Sequence, residues 1–535
     1  MIKALHIGNF KAFSATQTVP IRPITLIFGA NSAGKSSIIH SLALVHDASE
    51  NGDLDIEQTD IGGESIDLGG FVNYVHRRDT SRQVEWAVDI DAEKYLAQDN
   101  DISTIRLSFL IGKRQTGGYG ITRFAILADE QPVVTMSHRE GEHLRIDQIE
   151  LQHTFFAGAL SDEPTIFSRI RSEIGRASAQ LDLTLLRGDV EQFFPGISAD
   201  RSGMDADQLA TDLQELTNIK EDGHIPKSLT QFFGPMLAEL AALPLDRLTD
   251  HARKQLQRLH YLGPLRSYPP RRFALSSQQD NNWYAGGGHT WDILREDAAV
   301  RAAVNEWLQS PQRLSTPYQL VTHDLLSLRE LDAPLRIALG NLRAAADHSI
   351  HAMHDELPLI EDTDTAAEYV LQQLAGADME RHTEIALRDR RTNALLSHRD
   401  VGIGISQIMP VLVHAMSLRE QLIAIEQPEI HIHPRLQAEL GDVFINSALG
   451  EQRNRFLLET HSEHLILRIL RRIRQTAEGG LPTDVAAIQP EDVAVLYVEP
   501  GERGAEVIEI PVTPDGDFAR RWPNGFFADR IEEMM

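Results

Sequence analysis

An apolar run, Ile24-Thr25-Leu26-Ile27-Phe28, leads directly into Gly29-Ala30-Asn31-Ser32-Ala33-Gly34-Lys35-Ser36, and a helix-forming stretch follows from Lys35 to about His46. Strand, glycine loop and helix in that order is the setting in which G-x-x-x-x-G-K-[ST] cradles phosphate. The glycines let successive backbone N–H groups turn toward phosphate oxygens. The helix presents its positive N-terminal end to the same anion. On this reading Lys35 reaches the β- and γ-phosphates and the Ser36 hydroxyl ligates Mg²⁺. Gly29, Ala30, Asn31, Ser32, Ala33, Gly34 and Ser37 line the remainder of the cradle. The chain is expected to bind a nucleoside triphosphate.

At 535 residues there is room for about three or four domain-sized units, or one large domain with insertions. An apolar fraction of 42% and a charged fraction of 24% are those of an ordinary soluble globular protein. No apolar run approaches the roughly 18 residues that cross a bilayer. Ile2 to Ile7 reads as a strand with no leader before it. The absence of cysteine excludes disulfides and thiolate metal sites and fits a reducing compartment. A cytoplasmic protein with no membrane partner is expected. The net charge of −27 argues against a wholly electrostatic nucleic-acid binder. Two local basic groups remain: Arg468, Arg471, Arg472 and Arg474 on one predicted helix, and Arg266, Arg271 and Arg272 on one loop. For the first group a salt-bridged helix face is the plain alternative.

Three segments emerge. Residues 1–150 carry the phosphate loop, a glycine-rich loop from Gly62 to Gly70, and β-forming runs at Val84 to Ile90, Thr104 to Ile111, Ile121 to Ala128 and Pro132 to Ser137, read as an antiparallel meander. Residues 151–378 turn helical, with candidates at Met236 to Leu259 (broken near Pro244), Asp297 to Leu308 and Ala366 to Leu374. Leu262 to Pro270 reads as a rigid extended connector. No heptad repeat long enough for a coiled-coil arm is present. Residues 379–535 return to strands: a hairpin at Glu384 to Arg388 and Ala394 to Ser397, then buried strands at Leu422 to Ile425 and Arg455 to Glu459.

Both buried strands end in polar residues, where nucleotide sites of doubly wound folds lie. Leu422 to Ile425 runs into Glu426-Gln427-Pro428-Glu429, placing a Mg²⁺-supporting carboxylate at Glu426 and a water-orienting position at Gln427. The second strand ends in Thr460-His461, which sets His461 near a γ-phosphate. Asp400-Val401-Gly402-Ile403-Gly404-Ile405-Ser406-Gln407 is a glycine-punctuated helix start and a second anion-binding candidate. Taken singly, each has a plain reading as a capped helix, a satisfied histidine or a solvated acid. Their joint occurrence in this order is more specific.

These residues resemble the ATP-binding-cassette-type ATPases of the SMC, RecF and OLD class, and in particular the AAA-labelled bacterial ATPases that share an uncharacterised C-terminal domain. The likeness rests on Asn9-Phe10-Lys11-Ala12-Phe13, the phosphate loop, Leu262 to Pro269, Val401 to Pro410, Glu426 to Pro434, Glu459 to Glu463 and Trp522 to Phe527. It implies an α/β, ABC-type P-loop ATPase head: a mixed sheet with an antiparallel β-lobe and a helical insertion. It further implies two heads closing face to face, each ATP held by one chain's phosphate loop and the other's signature. Gly402, Gly404, Ser406 and Gln407 would form that signature, although they depart from Leu-Ser-Gly-Gly-Gln. The family's second acid is Gln427 here, and a glutamine cannot accept a proton from water. Slow hydrolysis is therefore expected unless Glu429 or His461 substitutes.

Two functional expectations follow from the resemblance. One is a nucleotide-gated sensor or scaffold in bacterial antiphage defence, working with a separately encoded nuclease or toxin. The other is a RecF-like repair ATPase that binds DNA through the two arginine groups. A transporter-associated cassette fits poorly, because such proteins keep a regular signature.

Overall fold

The computed structural model describes residues 2–91, 102–150 (without 116 and 139–143), 153, 155, 186–188, 197–199, 245–267, 282–326 (without 312), 328–351, 363–375, 381–397 and 400–523. Arg271, Arg272, the 236–244 part of the longest helical candidate and Asn524 to Phe527 lie outside the described residues.

The chain begins β1 (Ile2–Gly8), β2 (Gln17–Pro20), β3 (Ile24–Gly29) and α1 (Lys35–Asn51). Gly52, in the left-handed region at φ 75°, ends α1 by donating its N–H to Ala48 O. The meander follows as β4 (Val84–Asp91), β5 (Thr104–Lys113), β6 (Tyr119–Ala128), β7 (Gln131–His138) and β8 (Leu144–Ile149). With β9 (Leu186–Gly188) and β10 (Ile197–Ala199) it forms one antiparallel sheet in the order β10-β9-β8-β7-β6-β5-β4-β1-β2. Trp86, Phe109 and Phe124 meet on its inner face at centroid separations of 5.8 and 4.9 Å.

The second sheet draws its strands from both ends of the sequence. Its members beyond β3 are β11 (Leu259–Leu262), β15 (Leu422–Glu426), β16 (Arg455–Glu459), β17 (Val493–Glu499) and β18 (Glu506–Glu509). The order is β11-β15-β16-β3-β17-β18, parallel throughout except for β18. Strands buried on both faces need continuous apolar runs, which β3 and β15 supply. One apolar cluster joins the meander, α1 and this sheet through residues such as Ile7, Leu42, Trp86, Ala424, Leu457 and Val498.

A second compact unit comprises residues 268–279 and 290–406, and the rest of the chain forms the first. Its core is β12 (Tyr318–Leu326), β13 (Arg381–Asp389) and β14 (Ala394–Leu396), an antiparallel trio. Helix Ala298–Gln309 is capped by Asp297, whose carboxylate accepts from Ala299 N and Val300 N, and Asn305 bonds Leu320 N and O. Helices Leu328–His351 and Thr363–Ala375 complete it.

This division differs from the three sequence segments in two places. β11 lies inside the 151–378 segment, yet it pairs with β15 in the central sheet. The hairpin at 384–397, assigned to the C-terminal segment, instead pairs with β12 in the second unit. Both differences arise from long-range pairing, which neither run announces locally.

Candidate functional site

The carboxyl ends of β3, β16, β15 and β11 share one edge of the parallel sheet, and parallel register sets Glu426 directly beside Glu459. From β3 the backbone turns through Gly29 (φ 149°), Ser32 (φ 62°) and Gly34 (φ 104°) into α1. A Cβ on Gly34 would lie 2.3 Å from the Ala12 methyl, so the segment around Lys11 packs against the loop and leaves no space for a side chain there. Gly34→Ala therefore meets both a clash and a disfavoured φ, a cost of about 1–3 kcal/mol that reshapes the cradle. It should weaken ATP affinity ~10-fold in an equilibrium titration.

Lys35 is 4% exposed, and its ammonium donates to Gly29 O (3.2 Å) and Ala30 O (2.9 Å), with Glu459 Oε1 at 3.8 Å. Burial lowers its pKa, opposed by the charges of Glu459, Glu426 and Glu429. Ala30, Asn31 and Ser32 are exposed, while Ser37 is buried and donates its N–H to Gly34 O. Ser36 Oγ donates to Glu459 Oε2 at 2.7 Å. The carboxyl of Glu459 is pushed up to about 7, first by burial and then by Glu426 beside it.

Glu426 is held differently. Its Oε1 accepts from the Tyr261 hydroxyl at 3.0 Å and faces His40 Nε2 at 3.3 Å. The ammonium of Lys11 donates to His40 Nδ1 at 2.8 Å and to Asp67 O at 3.2 Å. Arg266, 7% exposed, donates to Glu426 O at 3.1 Å and also to Gly263 O. Burial lowers its pKa to about 10.

Gln427 sits in the left-handed region (φ 49°) and its N–H donates to Glu459 O. Both oxygens of Glu429 are engaged, accepting from Thr460 Oγ1 at 2.8 Å and His461 N at 2.7 Å. Burial raises its pKa. His461 is half-buried, and burial followed by the Lys35 charge lowers its pKa, so it is neutral at pH 7. Gly402 and Ile403 are exposed at the start of helix Ile403–Ser417, and Gly404 is half-buried there. Ser406 and Gln407, 4% and 5% exposed, lie within it.

Lys35, Ser36, Glu426, Glu429 and His461 thus converge, as the charges acting on Lys35 and His461 also report. Glu459, Tyr261, His40, Lys11 and Arg266 belong to the same constellation and were not named as site residues from the sequence. For His40 the available signal was its place one helical turn after Ser36. For Glu459 it was the carboxylate at a buried strand's end.

Among the basic groups Arg471 is exposed, and the other described members are engaged, as the plain alternative for the first group has it. Arg468 bonds Glu439 and Asp442, Arg472 bonds Asp442, Arg474 pairs with Asp517, and Arg266 is buried against backbone carbonyls. Helix Glu463–Glu478 turns Arg468 and Arg472 onto acids of helix Pro434–Leu449, which satisfies their charge internally.

A second cluster lies near β11, with His414 buried and His289 and His260 half-buried. His414 and His289 rings are 5.0 Å apart, and His260 is 6.3 Å from His414. His414 Nδ1 donates to Pro410 O, and Nε2 has no hydrogen-bond partner. Burial pushes His414 down to about 3 and His289 to about 4, with the neighbouring imidazoles and Arg266 adding to the effect on His414. Both are neutral when folded, whereas in the unfolded chain they take up protons near 6.5. Stability is thus full above that pH and falls below it, by about 1.4 kcal/mol per pH unit for each histidine. Melting temperature should decline from pH 6.5 toward 4, and His414→Leu should reduce the slope. A flat profile would show that the imidazoles are not held neutral.

A phosphate loop on a parallel sheet, with strand-end carboxylates two strands deep beside it, defines a P-loop ATPase domain. Residues 24–468 match the family described as "AAA domain, putative AbiEii toxin, Type IV TA system", and the chain belongs to that family. No curated protein matches it. Among solved structures it is similar to an Smc head domain with an extended coiled coil, bound to the C-terminal domain of ScpA, from Pyrococcus furiosus (TM-score 0.35, 9% identity, covering 95% of this chain and 96% of that one). It is also similar to the SMC head domain from Thermotoga maritima (0.33, 8%, 96% and 99%) and to the recombination mediator protein RecF (0.27, 10%, 95% and 98%). At such scores the likeness carries no argument about this chain. No helix among the described residues is long and apolar enough to cross a membrane.

Proposed function

We propose that the protein binds Mg²⁺ and ATP at the Lys35–Ser36 loop, hydrolyses the nucleotide slowly, and dimerises around it. The site's oxygen donors, a serine hydroxyl and strand-end carboxylates, suit Mg²⁺, which takes few protein ligands and completes its shell with phosphate and water. When bound, the ion neutralises charge on the β- and γ-phosphates. Lys35 binds those phosphates and the α1 N-terminus orients them. His461, neutral beside Lys35, has its imidazole available to the γ-phosphate.

One observation carries the slow step: Gln427 stands where an acid would polarise water, and both Glu429 oxygens already accept hydrogen bonds. Neither is a ready base. Gln427→Glu is expected to raise ATP turnover roughly 10-fold or more, since a positioned base contributes about 10²–10⁴. An unchanged rate in a phosphate-release assay would place the limit elsewhere.

A long-lived ATP state suits a switch, and we read the protein as the nucleotide-gated sensor or scaffold of a cytoplasmic antiphage complex with a separate nuclease or toxin effector. The family's description as a putative toxin of a toxin–antitoxin system supports a defence setting. In the dimer, the exposed Gly402 and Ile403 and the half-buried Gly404 would face the partner's nucleotide, with Ser406 and Gln407 shaping the helix from inside. Sedimentation velocity with Mg²⁺ and a non-hydrolysable ATP analogue should show dimers, and monomers alone would overturn this reading. Of the arginines the RecF-like alternative would use, Arg468, Arg472 and Arg474 are paired and Arg266 is buried, while Arg471 is exposed.

A further inference from the structure

The sequence pattern points to Glu426 as the carboxylate that supports the metal ion, because it ends the strand before Gln427-Pro428-Glu429. The side chains are arranged otherwise. The acid bonded to the Ser36 hydroxyl is Glu459, at the end of the strand between β3 and β15. Glu426 is drawn aside by Tyr261 and His40, and among the described residues its side chain makes no hydrogen bond to the phosphate loop. Glu459 also lies nearer the reacting end of the cradle, 3.8 Å from Lys35 Nζ.

We propose that Glu459 is the carboxylate that holds Mg²⁺ against Ser36, with Glu426 positioned behind it by Tyr261 and His40. The inference rests on the ATP-binding reading above and assigns one of its ligands. A hydroxyl that donates to a carboxylate at 2.7 Å exchanges its proton contact for a cation without moving the strand end, so both oxygens are preset for a hard, oxygen-seeking ion. Register explains why this strand supplies the ligand. Glu459 opposes Ile27 on β3, two residues before the loop begins, whereas Glu426 is one strand further away. Glu429, tied to Thr460 Oγ1 and His461 N, fixes the backbone just after Glu459.

The test is a Mg²⁺ titration of binding by a fluorescent non-hydrolysable ATP analogue to the full chain and to Glu459→Gln, Glu459→Asp and Glu426→Gln. Glu459→Gln should raise the Mg²⁺ concentration for half-maximal binding ~10–100-fold. Glu459→Asp should fall between it and the parent, and Glu426→Gln should move the midpoint less than either. Melting without nucleotide controls for folding, and Glu459→Asp decides the matter if the glutamine variant does not fold. A midpoint unmoved by Glu459→Gln but shifted by Glu426→Gln overturns this assignment and leaves ATP binding standing. Absence of analogue binding by the parent chain at any Mg²⁺ concentration overturns both.

Discussion

Lys35→Ala is expected to lower ATP affinity at least ~100-fold, about 2.7 kcal/mol. The ammonium lies inside the loop, held by two carbonyls of the same turn and facing a carboxylate, so it is aimed before any ligand arrives. No described neighbour can replace it: Lys11 is occupied by His40 and Asp67 O, and Arg266 by two backbone carbonyls. Removing it also takes away the charge that offsets Glu459, Glu426 and Glu429. Glu459, already pushed up to about 7, would then take a proton more readily, which limits the loss of stability. Calorimetric titration should therefore show lost binding with a melting temperature close to the parent's. Retained affinity would remove the phosphate loop from the proposal.

Asp442→Ala is expected to cost about 3–5 kcal/mol of stability, the range for breaking a buried ion pair from one side. Asp442 is 1% exposed and receives Arg468 Nη1 at 2.7 Å and Arg472 Nε and Nη2 at 2.8 and 2.6 Å. The truncation leaves Arg472 inside the protein with Gln475 as its only side-chain partner among the described residues, while Arg468 keeps Glu439. Helix Glu463–Glu478 follows directly from Thr460-His461, so its docking holds the end of β16 in place. Chemical denaturation should show the midpoint falling, and Arg472→Leu in the same background should recover part of it. A loss below about 1 kcal/mol would mean water reaches the pair.

The phosphate loop was legible because its chemistry is contiguous: an apolar strand, fixed glycine spacing and a helix start. β15 and β16 were legible as short apolar runs between turn signals. The role of Glu459 was not, since it depends on which strand lies beside β3, and strand order is a tertiary fact. β11 was hidden for the same reason, being four residues long with its partner far downstream. Arg468 and Arg472 of helix Glu463–Glu478 looked like part of a patch because their acids sit on a different helix. β12 and the 384–397 hairpin form a sheet whose partners are separated by helices, so the hairpin was attributed to the wrong neighbour. Local motifs thus located the phosphate loop, Glu426 and Glu429, and strand pairing added Glu459 beside them.

The place of β3 in the sheet bears on biosynthesis. It is completed on one side by a strand starting at residue 455 and on the other by one starting at residue 493. A ribosome that has released the glycine loop must translate on past residue 455 before either neighbour exists. Nascent chains interrupted before that point carry an apolar strand with two open edges, the kind of species chaperones retain. On the proposed reading, nucleotide capture therefore waits for residues 455–499 to be made and cannot guide the folding of the segments that precede them.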